Sequence, residues 1–332
     1  MAELIIIGNG FDLAHDLPTK FSDFLKWYFS EIKNHRIGSF NKGKPLITSI
    51  ESHISPDDFI ELNFNVNSIT FCNDFIEKLI FGYNNANWEG VEREYYKQLL
   101  NCESITQAEE LNHCFEELRL AFIEYLKLVY KEPFSWDDSI YSHLNNIHIS
   151  NFKALEEPII WLNFNYTPYA YYYFDRISRE NKDYEKLMKF IYIHGNYSEP
   201  SSVIFGYGDE SDPKYLSIEQ INNNEYLKYF KSFMYLKADN YDNLIKSLYN
   251  VRYNVHIMGH SCGLSDRVLL KELFCSQKCE EIIIYYYRDK ANRKNNDYID
   301  KVMNISRVFP MENKTEMRNK IVPYTKCKAL SW

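Results

Sequence analysis

The stretch Glu3-Leu4-Ile5-Ile6-Ile7-Gly8-Asn9-Gly10-Phe11-Asp12-Leu13 decides the fold of this chain. Its first half is apolar and rich in β-branched side chains, which favours a parallel strand buried on both faces. Gly8 and Gly10 follow at once and allow a sharp turn that can approach a ligand closely. Residues 21–25 then have helical spacing. A strand, a glycine turn and a helix in this order direct backbone N–H groups at a phosphate, although Leu13 stands where the dinucleotide fingerprint has its third glycine.

Further strands are predicted downstream, and most of them end in polar residues or glycine. They are 157–162, followed by Asn165; 189–193, followed by His194 and Gly195; 203–205; 254–258, followed by Gly259, His260 and Ser261; and 282–287. Repeated units of strand, polar tip and helix are typical of a parallel sheet with helices packed on it. Ligands of such sheets bind beyond the carboxyl ends of the strands. The predicted fold class is α/β, a Rossmann-like parallel sheet flanked by helices.

A large, mainly helical insertion or cap is expected at 21–156. Apolar residues recur with helical spacing from 69 to 130, and helices are also expected at 217–231 and 237–250, whereas 33–58 is polar and turn-rich. We therefore expect a single domain over 1–332, with a nucleotide-binding α/β core at 1–20 and 157–310. Glu89 and Glu92 lie one turn apart at a predicted helix start. They either complement the helix dipole or present a carboxylate to a ligand.

Composition indicates a folded protein and narrows the class of partner. The hydrophobic share is 45% and the aromatic share 17%, and the formal charge of −8 argues against a general nucleic-acid binder. Seven cysteines at irregular spacings indicate free thiols, and Cys275 and Cys279 lack the second pair that a zinc site needs. Neither a leader peptide nor a run of transmembrane length is recognisable. The expectation is a cytoplasmic protein with no membrane partner and no metal.

The segment Gly259-His260-Ser261-Cys262-Gly263 admits a second interpretation, because it is a literal G-x-S-x-G between a strand and a helix. In α/β-hydrolases this motif carries the nucleophilic serine, and the acid and the histidine follow it along the chain. No histidine follows His260 in this sequence. Ser261 therefore fits a ribose or phosphate contact better than it fits a nucleophile.

Four motifs, in the same order along the chain, resemble the signature of the bacterial abortive-infection AbiH proteins. They lie at 6–24, 163–167, 193–195 and 258–266. That family is in turn similar to the sirtuin-type (sirtuin/DHS-like) NAD-binding fold. In that comparison Gly8-Asn9-Gly10 matches G-A-G, Asn165 matches the Asn of T-Q-N-I-D, His194-Gly195 matches the catalytic H-G, and Gly259-His260-Ser261 matches G-T-S. Thr167 departs from the sirtuin pattern, which has Asp there, and the paired C-x-x-C zinc ribbon is missing.

The resemblance implies NAD handling in phage defence, with hydrolysis of the nicotinamide–ribose bond as the simplest reaction. It makes His194 and Asn165 the candidate catalytic residues, with His194 as a base near neutral pH and Asn165 orienting the ribose. The residues expected to contact the nucleotide are Gly8, Asn9, Gly10, Phe11, Asp12, Thr19, Tyr166, Gly195, Gly259, His260, Ser261 and Asp266. NAD is the expected small-molecule ligand, a phage-derived trigger is an expected partner, and a homo-oligomer is compatible with the sequence.

Two other functions stay open at this stage. One is a nucleotide-binding sensor that recruits partners without chemistry, which would bind NAD or ADP-ribose without turnover. The other is a nuclease or phosphohydrolase, which needs a cluster of carboxylates around a metal ion. Asp12, Glu89, Glu92 and Asp266 are the acidic residues that could form such a cluster.

Overall fold

The structure is a computed structural model that describes residues 1–34, 45–61, 68–81, 87–130, 134–152, 157–289, 292 and 295–331. The strands within these residues are β1 (Ala2–Ile7), β2 (Ile47–Ile50), β3 (Ile69–Phe71), β4 (Ile159–Asn163), β5 (Met188–Tyr192), β6 (Tyr253–Met258) and β7 (Cys279–Tyr285). The α-helices are α1 (Asn9–Ala14), α2 (Phe21–Lys33), α3 (Pro56–Glu61), α4 (Asp74–Phe81), α5 (Trp88–Leu100), α6 (Ile105–Val129), α7 (Asp138–Phe152), α8 (Tyr169–Glu180), α9 (Tyr215–Glu219), α10 (Lys231–Met234), α11 (Asn240–Leu248), α12 (Arg267–Phe274), α13 (Tyr298–Val308) and α14 (Lys314–Lys320).

Five strands form one parallel sheet in the order β5-β4-β1-β6-β7. The apolar residues of β1 are fully buried at its centre, because neighbouring strands cover both edges and helices cover the faces. This confirms the predicted α/β class with a parallel sheet flanked by helices. The chain adds strands first on one side of β1 and then on the other, so the winding reverses between β1 and β6, where ligands of such sheets bind.

Strand register brings the carboxyl ends of four strands to the same edge of the sheet. Ile7 pairs with Asn163 of β4 and with Met258 of β6, and Asn163 pairs with Tyr192 of β5. The residues that follow each of these strands therefore leave the sheet side by side. This edge contains nearly all of the candidate site residues.

The chain divides into two compact units. The first consists of Met1–Leu17, Lys131–Ile204 and Ser232–Trp332 and contains the parallel sheet. The second consists of Pro18–Tyr130 and Phe205–Lys231. These limits differ from the boundaries at 20 and 157 expected from the sequence. The reason is packing: α7 lies against β1, whereas the 205–231 segment packs on α5 and α6.

The second unit is mainly helical, with β2 and β3 forming a small antiparallel pair. Polar caps begin two of its longer helices: the side chain of Asn87 accepts from the amide of Gly90 at the start of α5, and the side chain of Ser104 accepts from the amide of Gln107 at the start of α6. Aromatic rings fill its interior, and Phe115 stacks on Tyr95 with ring centroids 4.1 Å apart. None of the helices in the described ranges is both long and apolar enough to cross a lipid bilayer.

Three local predictions were wrong. Residues 203–205 do not form a strand: the amide of Ile204 donates to the carbonyl of His194, so this segment crosses a strand tip instead of extending the sheet. Residues 69–71 form β3 before the helical pattern begins. The helix expected over 217–231 is only the short α9 followed by turns.

Candidate functional site at the strand tips

The turn after β1 packs directly on the turn after β6. The amide of Gly10 donates to the carbonyl of Gly259 (2.8 Å), and the amide of Phe11 donates to that of Gly8 (2.8 Å). A Cβ on Gly8 would lie 2.4 Å from the Cα of His260, and one on Gly10 would lie 2.8 Å from Gly259. Glycine is needed at both positions because the two turns touch. In this arrangement the amides of Gly10 and Phe11 have backbone acceptors, which a phosphate would have to replace.

We expect Gly259→Ala to destabilise the protein by about 2–4 kcal/mol, as a sum of backbone strain and overpacking. Gly259 has φ +79°, and an added Cβ would lie 2.2 Å from the amide nitrogen of Phe11. Urea denaturation of the purified variant measures the effect. Gly90→Ala is the control, because Gly90 lies in the first turn of α5, where alanine is a good helix former. Equal stability of the two variants would contradict the described turn.

Asn165 ties the end of β4 to the glycine turn. Its side-chain Nδ2 donates to the carbonyl of Gly8 (3.0 Å). Its own backbone is fixed by Asn163, whose side chain accepts from the Asn165 amide and donates to the Asn165 carbonyl, both at 3.1 Å. Both asparagines are buried. The predicted ribose-orienting residue is therefore held rigidly at the point where β1 ends.

Two histidines share one carboxylate at the ends of β5 and β6. Nε2 of His194 lies 3.3 Å from Oδ1 of Asp266, and Nε2 of His260 lies 3.4 Å from Oδ2. Nδ1 of His260 accepts from the amide of Cys262 (2.9 Å), so the ring proton is on Nε2 and points at Asp266. Nε2 of His194 also lies 3.2 Å from the hydroxyl of Tyr235. His194 is only 4% exposed, so this imidazole has little contact with solvent.

The most unusual group at this edge is the carboxyl of Asp12, which is 2% exposed. Oδ2 accepts from the hydroxyl of Thr167 (2.7 Å), whereas Oδ1 has no hydrogen-bond partner among the described residues. Burial raises the pKa of Asp12 from 3.8 to about 7, against the smaller lowering effects of Thr167 and Asn165. A carboxyl that changes its charge near neutral pH can act as an acid or a base in catalysis.

Asp12→Asn should stabilise the protein above pH 7 and flatten its stability between about pH 4 and 7. Because the folded-state pKa of Asp12 is raised, its favourable contribution is complete below the unfolded-state pKa and is lost as the pH rises to about 7. Between about pH 4 and 7 the wild type should therefore lose at most roughly 4 kcal/mol of unfolding free energy relative to the variant. Urea denaturation of both proteins at a series of pH values measures this. A wild type whose stability does not fall relative to the variant over that range would contradict the raised pKa.

Other predicted contact residues at this edge have structural partners. The ring of Phe11 is fully buried and packs against that of Tyr173 at 5.5 Å between centroids. The hydroxyl of Tyr166 donates to the carbonyl of Ile204 (2.9 Å). Gly195 has φ +75°, and a Cβ there would collide with the carbonyl oxygen of Ser202 at 2.2 Å. Of these, only the half-buried Tyr166 offers a ring edge to a ligand.

The remaining predicted residues are more dispersed. Asn9 is the half-buried first residue of α1. Ser261 is exposed, and its carbonyl accepts from Nδ2 of Asn304 (2.8 Å). Thr19 belongs to the second unit, where it is buried and its carbonyl accepts from the indole of Trp88 (2.9 Å). The imidazole of His260 is engaged with Asp266, so it does not pair with Ser261 as a nucleophile's base would.

Sequence reasoning missed two residues that hold the site. Tyr235 contacts His194, and it lies in a stretch without any motif. Lys301 is buried in α13 and donates from Nζ to the carbonyl of His260 (3.1 Å). A signal for Lys301 was present, since it shares helical spacing with the buried Tyr298, Ile305 and Val308. A lysine on the apolar face of a helix indicates a buried acceptor.

The two acidic residues of α5 have different surroundings. Glu92 is buried, and its carboxylate lies 2.9 Å from Nζ of Lys231. Glu89 is in the first turn of the helix. Among the described residues, no group of three or more His, Cys, Asp and Glu side chains is placed to hold a metal ion.

A separate groove of about 610 Å³ lies on α8 and the chain before α7. It is lined by Phe134, Trp136, Tyr172, Asp175, Arg176, Arg179 and Glu180. Its arginines are paired within the same helix, Arg176 with Glu180 and Arg179 with Asp175, each at 2.9 Å. It contains none of the predicted site residues.

Comparison with known proteins gives one family. The family model described as "Bacteriophage abortive infection AbiH" matches residues 4–288, which covers all four motifs at the strand tips. No curated protein matches the chain at a significant level.

Proposed function

This chain belongs to the AbiH family of bacteriophage abortive infection proteins, and on that premise we propose that it is an enzyme that binds NAD and cleaves its nicotinamide–ribose bond. The sirtuin-type character of the sheet and the activation by a phage-derived trigger are parts of the same proposal. Cleavage of NAD would suit abortive infection, because an infected cell that loses NAD cannot support phage growth.

The observation that carries the proposal is the carboxyl of Asp12. A buried oxygen without a hydrogen-bond partner among the described residues is costly, and such atoms often mark the place of a ligand or a water molecule. It lies beyond the carboxyl end of β1, where ligands of parallel sheets bind, and beside Asn165 and Thr167, which follow β4. Both its place and its titration near neutral pH are what a site for general acid–base chemistry requires.

Cleavage of the nicotinamide–ribose bond requires few catalytic groups. Nicotinamide leaves as a neutral molecule, so no acid is needed, and the transition state resembles the oxocarbenium ion of glycoside hydrolysis. Asn165 orients the ribose from its fixed position on Gly8. His194 or Asp12 accepts a proton from a water or a ribose hydroxyl. If Asp12 is the base, the rate rises with pH through about 7.

Access to His194 requires a movement. The ring of Phe164 meets that of His194 edge-on with centroids 5.0 Å apart, and the ring of Tyr235 is stacked with it at 6.0 Å. Together they leave the imidazole almost without solvent contact. In this proposal the rings keep the enzyme inactive before infection. Binding of the nucleotide or of a trigger then displaces one of them and exposes His194.

A second candidate function is a nucleotide sensor without catalysis. The burial of His194 and the backbone acceptors of Gly10 and Phe11 favour it, because a sensor does not need a histidine that is open to water and substrate. A sensor would bind ADP-ribose or NAD and leave it intact. Its phenotype would also be insensitive to loss of His194.

Incubation of the purified protein with NAD distinguishes these functions, with chromatography for nicotinamide and ADP-ribose. If the protein is an NAD-cleaving enzyme, both products form in equal amounts, and a metal chelator does not prevent this. If a trigger is needed, the products form only after a lysate from infected cells is added. Binding without products supports the sensor. Turnover that stops with the chelator supports metal-dependent chemistry. If the protein neither binds NAD nor cleaves it, the proposal is overturned.

A further inference from the structure

Two free thiols meet inside the second unit. Sγ of Cys72 lies 3.1 Å from Sγ of Cys114, and the two thiols share a hydrogen bond. Cys72 directly follows β3 and is partly exposed, whereas Cys114 lies in α6 and is 8% exposed. The residues are 42 positions apart in sequence, so their proximity is a product of the fold.

The surroundings of this pair favour the reactive form at Cys72. The hydrogen bond from Cys114 lowers the pKa of the Cys72 thiol, and the backbone of Asn73 acts in the same direction, against burial and the charge of Glu117. Burial raises the pKa of the partly exposed Cys102 and Cys327 instead. Because the thiolate is the nucleophile in cysteine chemistry, Cys72 should react before these other cysteines.

We propose that Cys72 and Cys114 form a dithiol that hydrogen peroxide oxidises to a disulfide, linking the end of β3 to α6. The separation of 3.1 Å leaves about 1 Å to close before the sulfur atoms reach disulfide length. Cys72 is the exposed partner that meets the oxidant, and Cys114 is the buried partner that resolves it. This modification is independent of the proposed NAD chemistry.

The reaction proceeds in two balanced steps. The Cys72 thiolate attacks one oxygen of the peroxide, so that an S–O bond forms, the O–O bond breaks and hydroxide leaves, giving a sulfenic acid. The sulfur of Cys114 then attacks that of Cys72: the S–S bond forms, the S–O bond breaks, and the departing hydroxide takes the thiol proton as water. Overall two thiols lose two electrons, and one peroxide is reduced to two waters.

Peptide mapping of the full-length protein tests this inference. The reduced protein is treated with increasing hydrogen peroxide, blocked with an alkylating agent, digested without reductant and analysed by mass spectrometry. The expected first product is a peptide pair joined through Cys72 and Cys114, released by dithiothreitol. The oxidised protein should also melt several degrees higher than the reduced one, because the cross-link closes a long loop of the unfolded chain.

Three variants sharpen the test. In Cys114→Ser the sulfenic acid on Cys72 persists and is trapped by dimedone, whereas in Cys72→Ser the remaining Cys114 stays reduced. Cys102→Ser, the control, forms the same cross-link as the wild type. Oxidation of Cys102 or Cys327 in the wild type before Cys72 overturns the proposal, and so does a cross-link that joins Cys72 to any other cysteine. If a variant does not fold, the peptide map of the wild-type protein alone still tests the proposal.

Discussion

We expect His194→Ala and Asn165→Ala each to lower the proposed NAD turnover by about 10²–10⁴-fold, the range for loss of a positioned catalytic group. His194 contacts Asp266 at the tip of the sheet, and Asn165 binds the carbonyl of Gly8. Initial rates of nicotinamide release, measured at saturating NAD, give the effect. Circular dichroism and thermal melting of each variant show whether the fold is retained.

The control for a merely structural effect is His256→Ala. His256 is also a buried histidine beside a carboxylate, with Nε2 2.8 Å from Oε2 of Glu3, but it lies within β6 and away from the strand tips. We expect this variant to lose stability and to keep its turnover. If His256→Ala and His194→Ala lose turnover equally, or if His194→Ala keeps the wild-type rate, His194 is not part of the reaction.

Lys231→Met destabilises the protein by about 3–5 kcal/mol, the typical loss when one partner of a buried ion pair is removed. The side chains of Lys231 and Glu92 are 2% and 6% exposed, and Nζ of Lys231 lies 2.9 Å from the carboxylate, which also accepts from the amide of Gly206. The variant leaves the charge of Glu92 buried without this cation. Urea denaturation measures the loss of free energy of unfolding.

Two further variants separate the ion pair from general effects of losing a lysine. In the double variant Glu92→Gln/Lys231→Met the buried charge is gone and the glutamine still accepts from Gly206, so most of the stability should return. Lys97→Met removes the exposed partner of Glu94 on the same helix and should change little. A double variant no more stable than Lys231→Met would show that packing, and not charge, is the dominant effect.

The central architecture could be predicted because its signals are local. A strand apolar on both faces, as in β1, is stable only when it is covered on both sides, and this requirement alone indicates a parallel sheet with helices. The carboxyl ends of β4, β5 and β6 could be located because polar residues stand directly after apolar runs in the sequence. Their meeting at one edge is a consequence of parallel register.

What the sequence did not show depends on long-range packing. Gly8 and Gly10 predict a phosphate loop, yet the same glycines are needed for close contact with His260 and Gly259, and only coordinates distinguish the two roles. The surroundings of the Asp12 carboxyl are likewise set at long range: Oδ2 accepts from Thr167, 155 positions away in sequence, and Oδ1 has no hydrogen-bond partner among the described residues. Residues 205–231 were expected in the α/β core because they follow a predicted strand at 203–205, but they belong to the second unit, where Lys231 pairs with Glu92.

The most direct test is hydrogen–deuterium exchange of the purified protein with and without ADP-ribose, the part of NAD that the tips of the sheet would hold. We expect the ligand to slow exchange together at 8–12, 163–167, 194–195 and 259–266, and Asn165→Ala to abolish this protection. Protection confined to the groove on α8, or saturating binding that leaves these four segments unchanged, would contradict this expectation.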